Sequence, residues 1–219
     1  MSRLVALLGH PVAHSLSPRM QNAAVAARGL DWTYVACDVE AHALEAAVTG
    51  LGALGFVGAN VTAPHKAAVA KLVGSELPSV NTLVGTSGYS TDTAILEGLE
   101  FERPAIVGGG GTAAAFAHAL PDARVFTRRG TWPPALEDAD LVVHATSARD
   151  EVLFELRAGQ TLVDLPYPRT ATAEAAAANG VRVVDGLEVL VAQGAASFEL
   201  WTGIAAPVPV MRRALGLPG

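Results

Sequence analysis

Cysteine is almost missing from this sequence: Cys37 stands alone among 219 residues. One thiol excludes an intrachain disulfide and any multi-cysteine metal site, so no metal is expected, and a reducing cytoplasm fits. Charge is sparse as well, at 16% of residues, and the 21 acidic side chains outnumber the 15 basic ones for a net charge of -6. That balance gives no general attraction to nucleic acid or to an anionic membrane surface, so a bound anion must be met by local groups. Long apolar runs are lacking too. The opening "LVALLG" is broken at once by Gly9, His10 and Pro11, too early for a signal-peptide core, and no segment reaches transmembrane length. No internal repeat is found.

What is present is a core-forming composition, 51% hydrophobic, on a chain long enough to bury one large or two small domains without disulfides or metals. Short Val/Leu/Ile runs recur: "LVALLG", "WTYVACDV", "GFVGANV", "PAIVGG", "ARVFT", "DLVVHA", "TLVDL" and "VRVVDG". Helical stretches separate them, which predicts an α/β protein with mostly parallel sheets covered on both faces. "LVGTSGYSTD" reads as a hairpin. A charged break, "GLEFERP" at residues 98–104, predicts a boundary between two lobes of similar size, with a ligand in the cleft between them.

In the second half, "AIVGGGGTAAAFAHAL" reads as strand, glycine turn and helix. Gly108, Gly110 and Ala113 satisfy G-x-G-x-x-G/A, which lets the backbone approach a pyrophosphate at a helix amino terminus. Four glycines alone could equally make a structural turn; the flanking strand and helix favour the nucleotide. After the next strand, where NAD-binding proteins carry an acidic residue for the ribose 2′-hydroxyl, stand Thr127, Arg128 and Arg129. A guanidinium pairs with a 2′-phosphate that a carboxylate would repel, so NADP is the expected cofactor, although an ordinary solvated Arg pair is the alternative.

In the first half, "HPVAHSLSPRMQN" places Ser17 as a helix N-cap and Pro18 at the first helical position, with the helix closed by Gly29. Ser15 is left without a role by that reading. "GANVTAPHKAAVAKLV" runs from a buried strand into a helix opened by Pro64, with Asn60 and Thr62 on one side of the strand. Lys66 then falls in the first helical turn, where the dipole disfavours a cation. Alone it reads as a solvated lysine. Asn81, Thr91 and Asp92 form further polar clusters, and an Asp near Lys66 would keep it charged and oriented. Gln193, in the amphipathic helix "GLEVLVAQGAASFELWTG", is as easily a surface amide as a ligand contact.

Taken together and in order, "GHPVAHSLSPRMQNAA", "GANVTAPHK", "VNTLVG", "STD", "VGGGGTAAA", "DLVVHATS", "DLPYP" and "VLVAQGAASFELWTG" resemble the shikimate dehydrogenases nearly end to end. The resemblance implies a substrate lobe of residues 1–97, completed by C-terminal helices at about 190–219. A Rossmann-like, doubly wound NADP-binding lobe would span 98–189. It implies NADPH-dependent, reversible reduction of 3-dehydroshikimate to shikimate, a step of aromatic amino acid and chorismate biosynthesis, in a monomer or homodimer. Lys66 and Asp92 match the catalytic pair. Ser15 and Ser17 match the carboxylate-binding serines, Thr62 a further carboxylate or hydroxyl contact, and Asn60, Asn81 and Gln193, with Asp92, the ring-hydroxyl contacts. Tyr167 would line the substrate site. Gly108, Gly109, Gly110, Gly111, Thr112, Thr127, Arg128, Arg129, Thr146, Leu165 and Gly186 would hold NADP.

Several positions depart from the family pattern. Ser90 replaces an Asn, Thr93 and Ile95 replace glycines, Arg129 a Thr, His144 the Asn of N-A-T-S, and Val189 a Met. The segment between Lys66 and Asn81, the hairpin before Asp92 and the early nucleotide-domain helices are short. An NAD-dependent quinate/shikimate dehydrogenase and a non-catalytic NADP-binding sensor are the alternative readings.

Overall fold

Arg3–Gly9 (β1) sends its apolar side chains alternately to two faces. Val5 and Leu7 pack with Val12, Tyr34 and Trp201, while Ala6 and Leu8 pack with Val61, Val69 and Leu83. Two apolar faces at period two mark a central parallel strand. A computed structural model of the chain, which describes residues 2–219, sets β1 between Trp32–Asp38 (β2) and Phe56–Val61 (β3). Thr82–Val84 (β4) and Ser87–Tyr89 (β5) form the expected hairpin and complete an order β2-β1-β3-β4-β5, with β1 to β3 parallel. Helices Ser17–Ala27 (α1), Leu44–Ala53 (α2) and Lys66–Leu72 (α3) connect these strands.

The end of α1 follows its sequence. Gly29 takes φ +63, and the N–H groups of Gly29 and Leu30 donate to the carbonyls of Ala26 and Val25, both at 3.1 Å. This double closure needs a left-handed residue at Gly29. The start of α1 corrects the sequence reading. Ser17 is the first helical residue, Leu16 holds the cap position, and no side chain caps from there. Instead the Ser17 N–H donates to Ser15 Oγ at 3.3 Å, so Ser15 satisfies one of the helix's open donors. Likewise α3 begins at Lys66, not Pro64: His65 occupies the cap position, and Pro64 lies in a turn closed by the His65 N–H on the Thr62 carbonyl at 3.0 Å.

The remaining strands form a second sheet. Pro104–Val107 (β6), Arg124–Phe126 (β7), Leu141–His144 (β8), Thr161–Asp164 (β9) and Arg182–Val184 (β10) are all parallel, in the order β10-β9-β8-β6-β7. All eight runs read as strands are therefore strands. One face packs on Gly111–Ala119 (α4) through Ala113 and Phe116. The other packs on Ala171–Ala178 (α5) and on irregular chain. No helix links β7 to β8 or β8 to β9; Trp132, Leu136, Phe154 and Leu156 from those links cover Ala105, Val142 and Leu162 directly. The short nucleotide-domain connections thus bury the sheet without the usual crossover helices.

Gly186–Thr202 (α6) and Val208–Ala214 (α7) end the chain. Two compact units result, one of residues up to Ala94 together with Leu190–Gly219, the other Ile95–Val189. The second begins at Ile95 because Ile95, Leu96, Leu99 and Phe101 pack on the Ile106 and Phe116 cluster. In the first, α7 packs on α1, and the Trp201 indole donates to the Leu83 carbonyl at 2.9 Å. Among the described residues no helix is long and apolar enough to cross a membrane.

Candidate active site

From β1 the chain passes to β2 on one side and returns to β3 on the other. The carboxyl ends of β1 and β3 therefore form the switch point, outside which open α/β sheets bind ligands. Ser15 and Ser17 lie on the segment leaving β1; Thr62 and Lys66 lie on the segment leaving β3. The two segments touch: a Cβ on Gly9 would stand 2.4 Å from Thr62 Cγ2, and the Thr62 N–H donates to the Leu8 carbonyl at 2.9 Å.

Lys66 and Asp92 meet there. The Lys66 ammonium donates to both Asp92 oxygens at 2.7 Å, with side-chain exposures of only 12% and 6%. Asn81 fixes the carboxylate: its Oδ1 accepts the Thr91 N–H at 2.7 Å, and its Nδ2 donates to Asp92 Oδ1 at 3.1 Å. Gln193 from α6 joins the group, its Oε1 lying 3.4 Å from Asn81 Nδ2 while its Nε2 donates to the Leu190 carbonyl at 2.9 Å. Segments far apart in sequence thus build one polar cluster in a mostly apolar unit.

Asn60 is tied into the protein beside this cluster. Tyr34 donates its hydroxyl to Asn60 Oδ1 at 2.8 Å, and Asn60 Nδ2 lies 3.0 to 3.1 Å from Ser197 Oγ, Thr82 Oγ1 and the Asn81 carbonyl. Its amide is engaged by the protein on both sides, as buried polar groups require. Asn60 therefore braces the strand that presents Asn81. Tyr34, Thr82 and Ser197 escaped sequence reasoning. Ser197 left a signal, since it follows Gln193 by four positions and so shares its helix face; Tyr34 left none.

In the second unit, β6 ends in the glycine turn. Gly108 takes φ +146, and an added Cβ would stand 2.6 Å from the Ala145 carbonyl oxygen, so only glycine lets the turn pass the segment leaving β8. Gly110 is the N-cap of α4, with open space where its Cβ would be. Gly111 and Thr112 open the helix, and Ala113 is buried in the core beside β6. Donors at a helix amino terminus beside an uncluttered turn fit a pyrophosphate.

Thr127 follows β7 beside Gly109, whose added Cβ would meet Thr127 Cγ2 at 3.4 Å. Arg128 is exposed, lies 5.6 Å from the Trp132 ring centroid and donates to Glu151 at 2.5 Å. Arg129 is exposed in the same turn. On the other side of β6, Thr146 follows β8, and Leu165 and the partly buried Tyr167 follow β9. Gly186 lies against that last segment, where a Cβ would approach the Leu165 oxygen to 2.6 Å. The cofactor residues anticipated from the sequence are thus spread along the carboxyl edge of this sheet.

Two family models match the chain. The shikimate dehydrogenase substrate binding domain covers residues 7–83. The shikimate 5′-dehydrogenase C-terminal domain covers residues 186–215. A shikimate dehydrogenase (NADP(+)) of Anaeromyxobacter sp. (strain Fw109-5) is 42% identical, with 99% of this chain and 96% of the relative covered. That alignment runs over 269 positions against a chain of 219 residues, which leaves about fifty positions where only the relative has a residue. The shikimate dehydrogenase of Aquifex aeolicus superposes with a TM-score of 0.88 at 28% identity, over 98% of this chain and 97% of the other. The Thermus thermophilus shikimate 5-dehydrogenase, solved with NADP(H) and shikimate, gives 0.84 at 30% identity, over 97% and 98%. Relatedness on this scale, spanning both units despite the missing positions, identifies the chain as a member of the shikimate dehydrogenase family.

Proposed function

We propose that this chain is an NADP-dependent dehydrogenase that reversibly reduces 3-dehydroshikimate to shikimate, with the unit built on β1 to β5 taking the substrate and the unit built on β6 to β10 the nucleotide. The Lys66–Asp92 pair carries the reading, because it sets a nearly buried ammonium, held at both carboxylate oxygens, outside the sheet switch point. An ammonium held there can give a proton to a ketone oxygen as it becomes an alkoxide, and take it back in the reverse direction. Asp92 orients Lys66 and accepts a hydrogen bond from a substrate hydroxyl.

Ser15 and Ser17 donate to the substrate carboxylate beside the amino terminus of α1, where partial positive charge favours an anion. Thr62 adds a hydroxyl contact, and Asn81 and Gln193 hold ring hydroxyls, with Asn60 fixing Asn81 from behind. Tyr167 lines the substrate position. Gly108 to Gly111 and Thr112 hold the pyrophosphate, Thr127, Arg128 and Arg129 the 2′-phosphate, and Thr146, Leu165 and Gly186 the nicotinamide half. When bound, the reduced nicotinamide supplies the hydride. Lys66 gives its proton to the ketone oxygen as the alkoxide forms, and recovers a proton from solvent.

Steady-state rates with shikimate or quinate, each with NADP+ or NAD+, test this reading. Fastest turnover with shikimate and NADP+ is expected. Faster turnover of quinate with NAD+ would replace it by the quinate reading, and no turnover with any pair would leave only a binding protein.

A further inference from the structure

His144 and Asp164 are buried, both with 0% side-chain exposure, on the paired strands β8 and β9. Asp164 accepts the Thr170 N–H and the Thr170 hydroxyl, each at 3.1 Å, and lies 2.7 Å from His144 Nδ1. Thr170 in turn caps α5. An ionised carboxylate only accepts hydrogen bonds, so the proton of a neutral His144 sits on Nδ1. Nε2 is then an acceptor. It lies 2.7 Å from Thr146 Oγ1, so the Thr146 hydroxyl donates to it.

The direction of that bond sets what Thr146 can offer a ligand. Its hydrogen is committed to His144, and one lone pair receives the Ala148 N–H at 3.3 Å. The hydroxyl can therefore accept a further hydrogen bond. Thr146 is half-buried, one residue past the Ala145 carbonyl that crowds Gly108. It also lies across β6 from Thr127 and Arg128, because the sheet order puts β8 on one side of β6 and β7 on the other. A dinucleotide whose 2′-phosphate end is at β7 has its nicotinamide half on the β8 side.

We infer that His144 is a positioning residue that fixes Thr146 as an acceptor for an N–H or O–H donor on the nicotinamide half of the cofactor. The inference rests on the nucleotide reading of this unit. Two donors have this chemistry, the carboxamide N–H and the hydroxyls of the adjoining ribose. His144→Asn is the informative variant. The Asn amide reproduces the donor at Nδ1 for Asp164, but it has no atom where Nε2 stands.

Equilibrium dissociation constants decide the matter, measured at about pH 8 for four probes. These are NADP+, its 3-acetylpyridine analogue, which lacks the carboxamide N–H, its nicotinamide-side 2′,3′-dideoxyribose analogue, which lacks the ribose hydroxyls, and 2′-phospho-ADP, which lacks both the nicotinamide and its ribose. The native protein is expected to bind NADP+ about five- to tenfold tighter than the analogue that has lost the donor, and that analogue names the source. Thr146→Val and His144→Asn should bring this ratio to about one, Thr146→Ser should keep it, and 2′-phospho-ADP should bind all of them equally. A ratio that survives in Thr146→Val or in His144→Asn overturns the inference, as does a native protein that discriminates against neither analogue. If His144→Asn does not fold, the double variant His144→Leu with Asp164→Asn, which removes both members of the buried pair, takes its place and should likewise bring the ratio to about one. Failure of the native protein to bind either NADP+ or 2′-phospho-ADP overturns the nucleotide reading itself.

Discussion

Replacing Lys66 by Met keeps most of the aliphatic stem and removes the ammonium. If Lys66 delivers the proton, kcat should fall by about two to four powers of ten, the usual contribution of a positioned acid or base. At 1.36 kcal/mol per factor of ten this is about 2.7–5.4 kcal/mol of transition-state stabilisation. KM should change little, since the proton moves in the transition state. The structure adds a second consequence. Asp92 loses both 2.7 Å contacts to Lys66 and keeps the Asn81 amide at 3.1 Å, while only 6% exposed. Stranding a buried charge in this way costs about 3–5 kcal/mol, a large share of an ordinary domain's stability. Rates must therefore be taken well below the melting midpoint. The double variant with Asp92→Asn should recover much of the midpoint and none of the rate. A Lys66→Met enzyme that keeps kcat within threefold, or loses only KM, would refute the proton-transfer role.

Gly108→Ala puts a methyl 2.6 Å from the Ala145 carbonyl oxygen at φ +146. Strain and overpacking of about 1–3 kcal/mol each should lower the melting midpoint and weaken NADPH; a variant with native midpoint and affinity contradicts the cradle. Arg128→Ala should weaken NADPH binding by roughly tenfold or more and NADH hardly at all, because only NADPH carries the 2′-phosphate; equal weakening would mean the phosphate lies elsewhere. Burial pushes the Asp140 carboxyl up, but the N–H groups of Glu102 and Arg103 donate to it, both at 2.9 Å, and hold it below the usual range. A carboxyl lowered in the folded state contributes stability above its unfolded pKa, about 3.9, and loses it as pH falls through the folded value. Asp140→Asn should thus be less stable than native near neutrality, with the gap closing below about pH 4 in urea titrations; a gap that widens in acid would contradict the assignment.

The strands and glycine turn were legible because each is a local signal: an apolar run of strand length, or glycines between a strand and a helix. Helix starts were less so. Ser17 and Pro64 match capping preferences, yet Leu16 and His65 hold the cap positions of α1 and α3, because the turns after β1 and β3 are fixed by tertiary contacts such as that of Gly9 with Thr62. The meeting of Lys66 with Asp92 was foreseen only through family resemblance. It depends on Asn81 drawing the chain after β5 inward, which no local pattern encodes. The bonds of the Asn60 amide to Tyr34, Thr82 and Ser197 were not legible either, because they join residues far apart in sequence that no local pattern links.

Direct hydride delivery to the substrate ketone is tested best with NADPH deuterated at the transferable position of the nicotinamide. Incubated with 3-dehydroshikimate, the protein should yield shikimate one deuterium heavier, with the label on the new carbinol carbon. Unlabelled shikimate, or labelled NADPH left unconsumed, would contradict the account.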